Sequence, residues 1–191
     1  MMPYLLRCYV AFSSSYFLSG RLSDNMEKKT ALKIIAVFSF FAVLISLFLL
    51  YQHFSTEVSR FCNFGKSFSC DIVNKGEYST LDGVTNLALS IVFQKNFYMS
   101  FSIPNALISI GVFFFFLLAA GRIYRKKSFL GMNEKTLIKV MKIIMVLSLV
   151  YAAFLIYIEA EVLQTWCLFC LTLDVVMLVI TYALFTMEGK R

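Results

Sequence analysis

Four long apolar segments dominate the chain, and each is long enough to cross a bilayer as an α-helix. They cover about residues 32–51, 103–120, 137–158 and 166–187. A shorter amphipathic segment, about residues 84–93, follows Asp82, whose side chain favours a helix start. Because so short a helix cannot span the hydrocarbon core, we expect it to lie at the membrane interface or against the other helices.

Polar segments separate the apolar ones and define the predicted connections. The longest, residues 52–82, contains the turn sequence Asn74-Lys75-Gly76 and is expected to be irregular. Pro104 stands near the start of the second span, where its missing N–H costs little. The pattern predicts an all-α polytopic membrane protein: one four-transmembrane-helix bundle over residues 30–187, with a polar loop and an amphipathic half-helix.

The N-terminal residues 1–29 lack this pattern. A short apolar patch there is interrupted by polar residues, is too short to span, and is not followed by a convincing signal-peptide cleavage site. We expect a poorly ordered tail, with Met26 as an alternative start of the protein. Cys8 lies in this tail and is not expected to take part in any chemistry.

Composition agrees with a membrane protein: 60% of the 191 residues are hydrophobic and 15% are charged, whereas a soluble domain is nearer half apolar. The net charge of +7 arises from basic clusters beside the spans. The chain lacks the surface of interleaved aromatic and basic residues that is typical of nucleic-acid binding. We therefore expect the lipid bilayer, and no nucleic acid, among the partners.

Charge also predicts the orientation, because cytoplasmic loops carry an excess of Lys and Arg. The segment before the first span, the link between the second and third, and the end of the chain are basic. The link between the third and fourth spans instead carries Glu159 and Glu161. Both termini are therefore expected in the cytoplasm, with residues 188–191 as a short tail, and the loop 52–82 on the extracytoplasmic side.

Four of the five cysteines fall on that expected extracytoplasmic side, where disulfides form and persist. Cys167 and Cys170 make a Cys-x-x-Cys at the start of the fourth span. Unpaired N–H groups and the positive end of a helix stabilise a thiolate at such a position, and the pair can form and exchange a small-loop disulfide. Cys62 and Cys70 lie upstream in the polar loop. We interpret the two pairs as an electron relay.

The cysteines also allow interpretations without catalysis. Cys62 and Cys70 could form a structural disulfide, and Cys167 and Cys170 could be two buried, small apolar side chains. All four could hold zinc. The spacing in the loop is wide for a zinc knuckle, and only one half of the set is a Cys-x-x-Cys, so no metal site is predicted.

The order of these features resembles the vitamin K epoxide reductase family over nearly all of the chain from the first span onward. Cys70-Asp71-Ile72-Val73, followed by Tyr78-Ser79-Thr80-Leu81 and Gly83, is similar to the loop signature of its prokaryotic branch. Pro104-Asn105 is similar to the start of the family's second span. A disulfide oxidase of the DsbB type has its two cysteine pairs in the reverse order.

The resemblance implies a role for each cysteine. Cys167 and Cys170 match the active pair, with Cys170 facing a quinone, and Cys70 matches the loop cysteine that exchanges with Cys167. Cys62 would be the first to accept electrons from a reduced partner. Asn105 matches the asparagine that holds a quinone oxygen.

Two departures from the family pattern concern the quinone and the loop. Gly76 stands where the family has Ser or Thr, and Asp174 stands where animal enzymes have a quinone-bonding Tyr. On a helix Asp174 shares a face with Cys167 and Cys170. An intramembrane carboxylate is a functional-site hypothesis: it relays a proton to a reduced quinone or bonds to the ligand, or else it reaches water or another helix.

The sequence thus predicts a membrane thiol–disulfide oxidoreductase that supports disulfide bond formation. Electrons pass from a separate thioredoxin-like protein, since no such domain follows the fourth span, to a ubiquinone, menaquinone or vitamin K. The expected location is a prokaryotic cell membrane. The alternatives are a vitamin K quinone or epoxide reductase of the endoplasmic reticulum, and a four-span scaffold whose cysteines are only structural.

Overall fold

The structure is a computed structural model that describes residues 28–56, 62, 68–93, 102–125 and 131–187. Lys28 and Lys29 begin the first helix. The rest of the predicted N-terminal tail, with Met26 and Cys8, and the predicted C-terminal tail 188–191 lie outside the described residues.

The described residues are mostly helical, and none of them belongs to a β-strand beyond isolated bridges. The α-helices are α1 (Lys28–Phe54), α2 (Cys70–Lys75), α3 (Leu81–Phe93), α4 (Asn105–Tyr124), α5 (Glu134–Tyr157) and α6 (Leu168–Thr186). A 3₁₀ turn, Glu77–Ser79, joins α2 to α3, and a π-helical turn, Ile158–Leu163, extends α5. Four of these helices (α1, α4, α5 with its extension, and α6) are long and apolar enough to cross a membrane. The predicted all-α fold with four spans is confirmed.

On part of their surface the spanning helices bury small side chains, while other faces expose large apolar ones. On α1, Ala42 and Ser46 are fully buried, whereas Phe41 and Leu44 are about half exposed. Small residues let helix backbones approach closely where apolar burial gives no advantage over lipid. Ser46 also meets Ser109 of α4 through a hydroxyl–hydroxyl hydrogen bond of 3.0 Å. The exposed apolar faces are therefore suited to contact lipid.

The chain divides into two compact units, each of which takes in part of every spanning helix. The first includes residues 114–125 and 131–153, and its core contains Phe116, Met141 and Ile180. Lys28 and Glu134 form an ion pair there. The ammonium of Lys142 lies 4.9 Å from the centre of the Phe185 ring, which partly offsets the cost of placing a lysine within a span.

The second unit, Ala42–Phe113 with Phe154–Leu173, contains the polar loop, α3 and the four key cysteines. Two hydrogen bonds attach α2 to the end of α1. The side-chain amide of Asn74 donates to the carbonyl of Leu49 at 2.7 Å, and Nδ1 of His53 lies 2.6 Å from the carbonyl oxygen of Asn74. These two long-range bonds hold α2 against the end of α1.

The amphipathic half-helix α3 begins at Leu81, earlier than its apolar pattern indicated. The Leu81 N–H donates to the carbonyl of Ile103 at 2.9 Å, so the residues before α4 satisfy one of the first backbone donors. Asp82 therefore lies inside the first turn, and does not precede it as a cap. Gly83 faces the carbonyl of Glu77 so closely that an added Cβ would lie 1.8 Å from that oxygen.

Candidate functional site

Three cysteine sulfurs meet in the second unit. Cys62 and Cys70 form a disulfide, and the Sγ atom of Cys70 lies 3.3 Å from the Sγ atom of Cys167. The three sulfurs lie within 4.8 Å of one another, and all three residues are buried. Thiolate attack on a disulfide requires contact of this kind between sulfurs. The loop cysteines and the Cys-x-x-Cys are thus arranged for thiol–disulfide exchange.

Backbone pairing brings Cys70 to Cys167. Phe68 and Trp166 form a parallel β-bridge, and the Ser69 N–H donates to the Trp166 carbonyl at 3.1 Å. Ser69 is also the N-cap of α2, where its hydroxyl accepts the Ile72 N–H. One residue therefore starts the helix that bears Cys70 and bonds to the residue before Cys167.

Cys167 lies immediately before α6 and caps its first turn. Its carbonyl accepts the Leu171 N–H at 3.0 Å, and its sulfur accepts the Cys170 N–H at 3.3 Å. The sulfur therefore lies at the positive end of α6, beside donors that the helix itself cannot pair. Cys167 and Cys170 are both thiols that belong to no disulfide, Cys167 buried and Cys170 half-buried.

Glu159 is a further residue of this site. From the sequence it was expected only to contribute charge to the link between the third and fourth spans. It is 4% exposed, and its carboxylate accepts the Cys167 N–H at 3.0 Å. The same side chain is hydrogen-bonded to the side chain of Cys170. Its position eight residues before the Cys-x-x-Cys was visible in the sequence, but its burial was not. Regular helical geometry would not have predicted a contact between Glu159 and Cys167.

The chain bends back after Glu159 through unusual backbone. Residues Ile158–Leu163 form a π-helical turn, and Gln164 has a left-handed conformation with φ 51°. The N–H groups of Gln164 and Thr165 both donate to the carbonyl of Glu159. This closed turn brings the backbone N–H of Cys167 within hydrogen-bonding distance of the Glu159 carboxylate.

The two residues predicted to contact a quinone, Asn105 and Asp174, lie outside the cluster of three cysteine sulfurs. Asn105 is the first residue of α4, and its amide donates to the carbonyl of Tyr78 at 3.0 Å. It therefore ties the end of the loop to α4. Asp174 is half-buried on α6, in the first unit.

The arrangement suits redox exchange better than metal binding. Zinc is bound by thiolates, and of the three clustered sulfurs only that of Cys167 is a free thiol in this form. The Cys-x-x-Cys pair, which is outside any disulfide, lies beside a closed disulfide, and this combination suits thiol–disulfide exchange.

Comparison with protein families gives a match over most of the chain. The family model described as "Vitamin K epoxide reductase family" matches residues 33–185. This range contains the loop pair Cys62 and Cys70, the Cys-x-x-Cys, and Glu159. No curated protein matches the chain.

Proposed function

Because the chain belongs to the vitamin K epoxide reductase family, whose members are membrane oxidoreductases, we propose that it passes electrons from a reduced extracytoplasmic protein to a quinone. The observation that carries this proposal is the 3.3 Å contact between Cys70, in its disulfide with Cys62, and the free thiol of Cys167. The product delivered to the partner would be a disulfide, so the protein would support disulfide bond formation.

The first transfer is a thiol–disulfide exchange with the partner. A thiolate of a reduced thioredoxin-like protein attacks Cys62, and Cys70 leaves as a thiolate. The partner's second thiol then attacks the mixed disulfide, which releases Cys62 and leaves the partner oxidised. Cys62 is buried, so its sulfur has to become accessible to the partner for this step.

The second transfer moves the two electrons to the Cys-x-x-Cys. The Cys70 thiolate attacks Cys167 of a Cys167–Cys170 disulfide, and Cys170 leaves as a thiolate. Cys62 then attacks Cys70, which restores the loop disulfide and releases Cys167. The resulting state, with the loop pair closed and the other pair reduced, is the form that the structure contains.

A quinone is the acceptor that the family suggests for the last transfer. It takes up two electrons and two protons as the thiols of Cys167 and Cys170 close into a disulfide. The residues present suit such an acceptor, because Cys170 is only half-buried and is in the thiol form. Asn105 and Asp174 are proposed to contact the quinone oxygens, with ubiquinone, menaquinone and vitamin K as possible acceptors.

The proposed location follows from the charge pattern. Both termini would face the cytoplasm of a prokaryotic cell, and the cysteines would lie on the outer side of its membrane. In a eukaryotic cell the same orientation would place them in the lumen of the endoplasmic reticulum.

The test is quinone reduction by the detergent-purified protein, followed by ultraviolet absorbance with dithiothreitol as the donor. Ubiquinone, menaquinone and vitamin K1 are compared, and vitamin K epoxide tests the alternative activity. We expect reduction by the wild-type protein and none by Cys170→Ala. If folded wild-type protein reduces no quinone and no epoxide, the proposed quinone activity fails.

A further inference from the structure

Glu159 presents an unusual combination of burial and charge. Its side chain is nearly inaccessible, and neither of the two ion pairs found among the described residues involves it. A buried carboxylate is costly unless its oxygens are hydrogen-bonded. Its partners here are the backbone N–H of Cys167 and the side chain of Cys170. Both partners belong to the reactive pair.

The turn itself does not depend on this side chain. The backbone carbonyl of Glu159, not its carboxylate, accepts the bonds from Gln164 and Thr165 that close the turn. A neutral side chain of the same size would leave those bonds in place. The bonds that close the turn therefore do not account for the carboxylate, whose partners are the two cysteines.

We propose that Glu159 is the catalytic base of the Cys167–Cys170 pair: its carboxylate accepts the thiol proton of Cys170 when the pair is oxidised. This inference rests on the proposed function and adds a proton path to it. The hydrogen bond to Cys167 holds the carboxylate beside the pair, and the bond to Cys170 places the proton and its acceptor in contact.

The step balances as follows. The proton of Cys170 moves to Glu159, and the resulting thiolate forms the S–S bond with Cys167 while two electrons leave to the acceptor. The thiol proton of Cys167 is released at the same time. The two protons, one held on Glu159, are those that the reduced acceptor needs. Loss of its proton returns Glu159 to the carboxylate for the next turnover.

The first experiment measures oxidation of the pair without any quinone. Trp166 is the single tryptophan of the chain and adjoins Cys167, so its fluorescence can follow disulfide formation. The protein is reduced with dithiothreitol, desalted and mixed in a stopped-flow instrument with diamide, a small-molecule oxidant of dithiols. We compare wild type, Glu159→Gln and Glu159→Asp. The matched control is Glu161→Gln, because Glu161 is exposed on the same turn.

We expect Glu159→Gln to slow oxidation by about 100-fold or more, the usual contribution of a general base. Glu159→Asp should keep part of the rate, since it retains a carboxylate, and Glu161→Gln should match wild type. A wild-type rate in Glu159→Gln would overturn the inference, because glutamine keeps a hydrogen-bond acceptor but takes up no proton.

Chemical rescue separates proton transfer from a structural role. In Glu159→Ala, added acetate should restore part of the oxidation rate, and fluoroacetate, which is similar in size but less basic, should restore less. Equal rescue by the two anions, or none in a variant that unfolds like wild type, would overturn the inference.

The same variants tested with quinone keep the two proposals distinct. Wild-type protein that reduces no quinone, together with a slow Glu159→Gln reaction with diamide, would refute the quinone activity and leave the base in place. Quinone reduction at the wild-type rate by Glu159→Gln would refute the base alone.

Discussion

The two loop cysteines are chemically alike but are placed differently. The Sγ atom of Cys70 lies 3.3 Å from that of Cys167, whereas Cys62 is joined to Cys70 by the disulfide. We therefore expect an exchange that ends at Cys167 to need Cys70, and the proposed exchange with a protein partner to need Cys62. A small thiol is expected to reduce the Cys-x-x-Cys without the loop pair.

The first prediction uses this difference. Cys62→Ala should abolish oxidation of a reduced thioredoxin-like protein of the DsbA type while leaving quinone reduction by dithiothreitol close to the wild-type rate. The two donors are compared in the same preparation, so that loss of fold would show as loss of both rates. Undiminished oxidation of the protein donor by Cys62→Ala would reverse the order of the relay.

Gly83 permits a backbone approach that no side chain allows. The substitution Gly83→Ala would place Cβ 1.8 Å from the carbonyl oxygen of Glu77, so the start of α3 must move. We expect a loss of about 1–3 kcal/mol in the free energy of unfolding, more than the gain of up to about 1 kcal/mol that alanine gives within a helix.

Gly111 provides the matched control for that prediction. It also lies within a helix, α4, but an added Cβ would meet nothing within 4 Å. Gly111→Ala should therefore leave stability unchanged or raise it slightly. Both variants are compared by thermal unfolding in detergent. Equal stability of Gly83→Ala and Gly111→Ala would show that the approach at Glu77 does not constrain the fold.

At the level of elements, the short helix α2 has to be held in place for exchange to occur. Its six residues cannot form a stable helix alone. It is held by the bond from Asn74 to Leu49, by His53, and by the pairing beside Trp166. We expect the position of Cys70 to depend on these contacts more than on the helix itself.

This expectation can be tested by trapping. In a variant with Cys62→Ala and Cys170→Ala, the neighbouring thiols of Cys70 and Cys167 should form a disulfide, detectable by mass spectrometry. Adding Asn74→Ala should reduce its yield several-fold, because α2 loses its bond to α1. Adding Ile72→Ala should not, since Ile72 is half exposed on α2. If Asn74→Ala traps as well as its parent, the Asn74 bond does not position the loop.

The same elements show what could be predicted from the sequence. The four spans follow from runs of apolar residues alone, because a helix in lipid needs only length and hydropathy. The half-helix was recognisable by its amphipathic pattern, but its start at Leu81 depends on a bond to Ile103, far along the chain. Its boundary was therefore not visible locally.

The sequence was sufficient to identify the cysteines of the site, but not the contacts between them. The Cys-x-x-Cys and the loop pair could be found by spacing, whereas the bridge between Phe68 and Trp166 that brings them together has no sequence signature. Glu159 was missed because burial there results from a π-helical turn and a left-handed Gln164. Neither feature follows from helical periodicity.

For the molecule as a whole, orientation decides whether the cysteines can serve an extracytoplasmic partner. The charge pattern predicts that the link before α5 faces the cytoplasm and the link before α6 faces outward. Asn133 lies in the first link and Glu161 before the second, and both are exposed. A cysteine at either position would therefore report the side on which its link lies.

The last prediction follows from these two positions. In a variant whose native cysteines are replaced by serine, a membrane-impermeant maleimide added to intact cells should label Glu161→Cys and not Asn133→Cys. Both should be labelled after the cells are broken, which controls for accessibility. The reverse labelling would place the redox pair in the cytoplasm, where a reducing glutathione pool disfavours disulfides, and would refute the proposed role in disulfide formation even for a protein that reduces quinones.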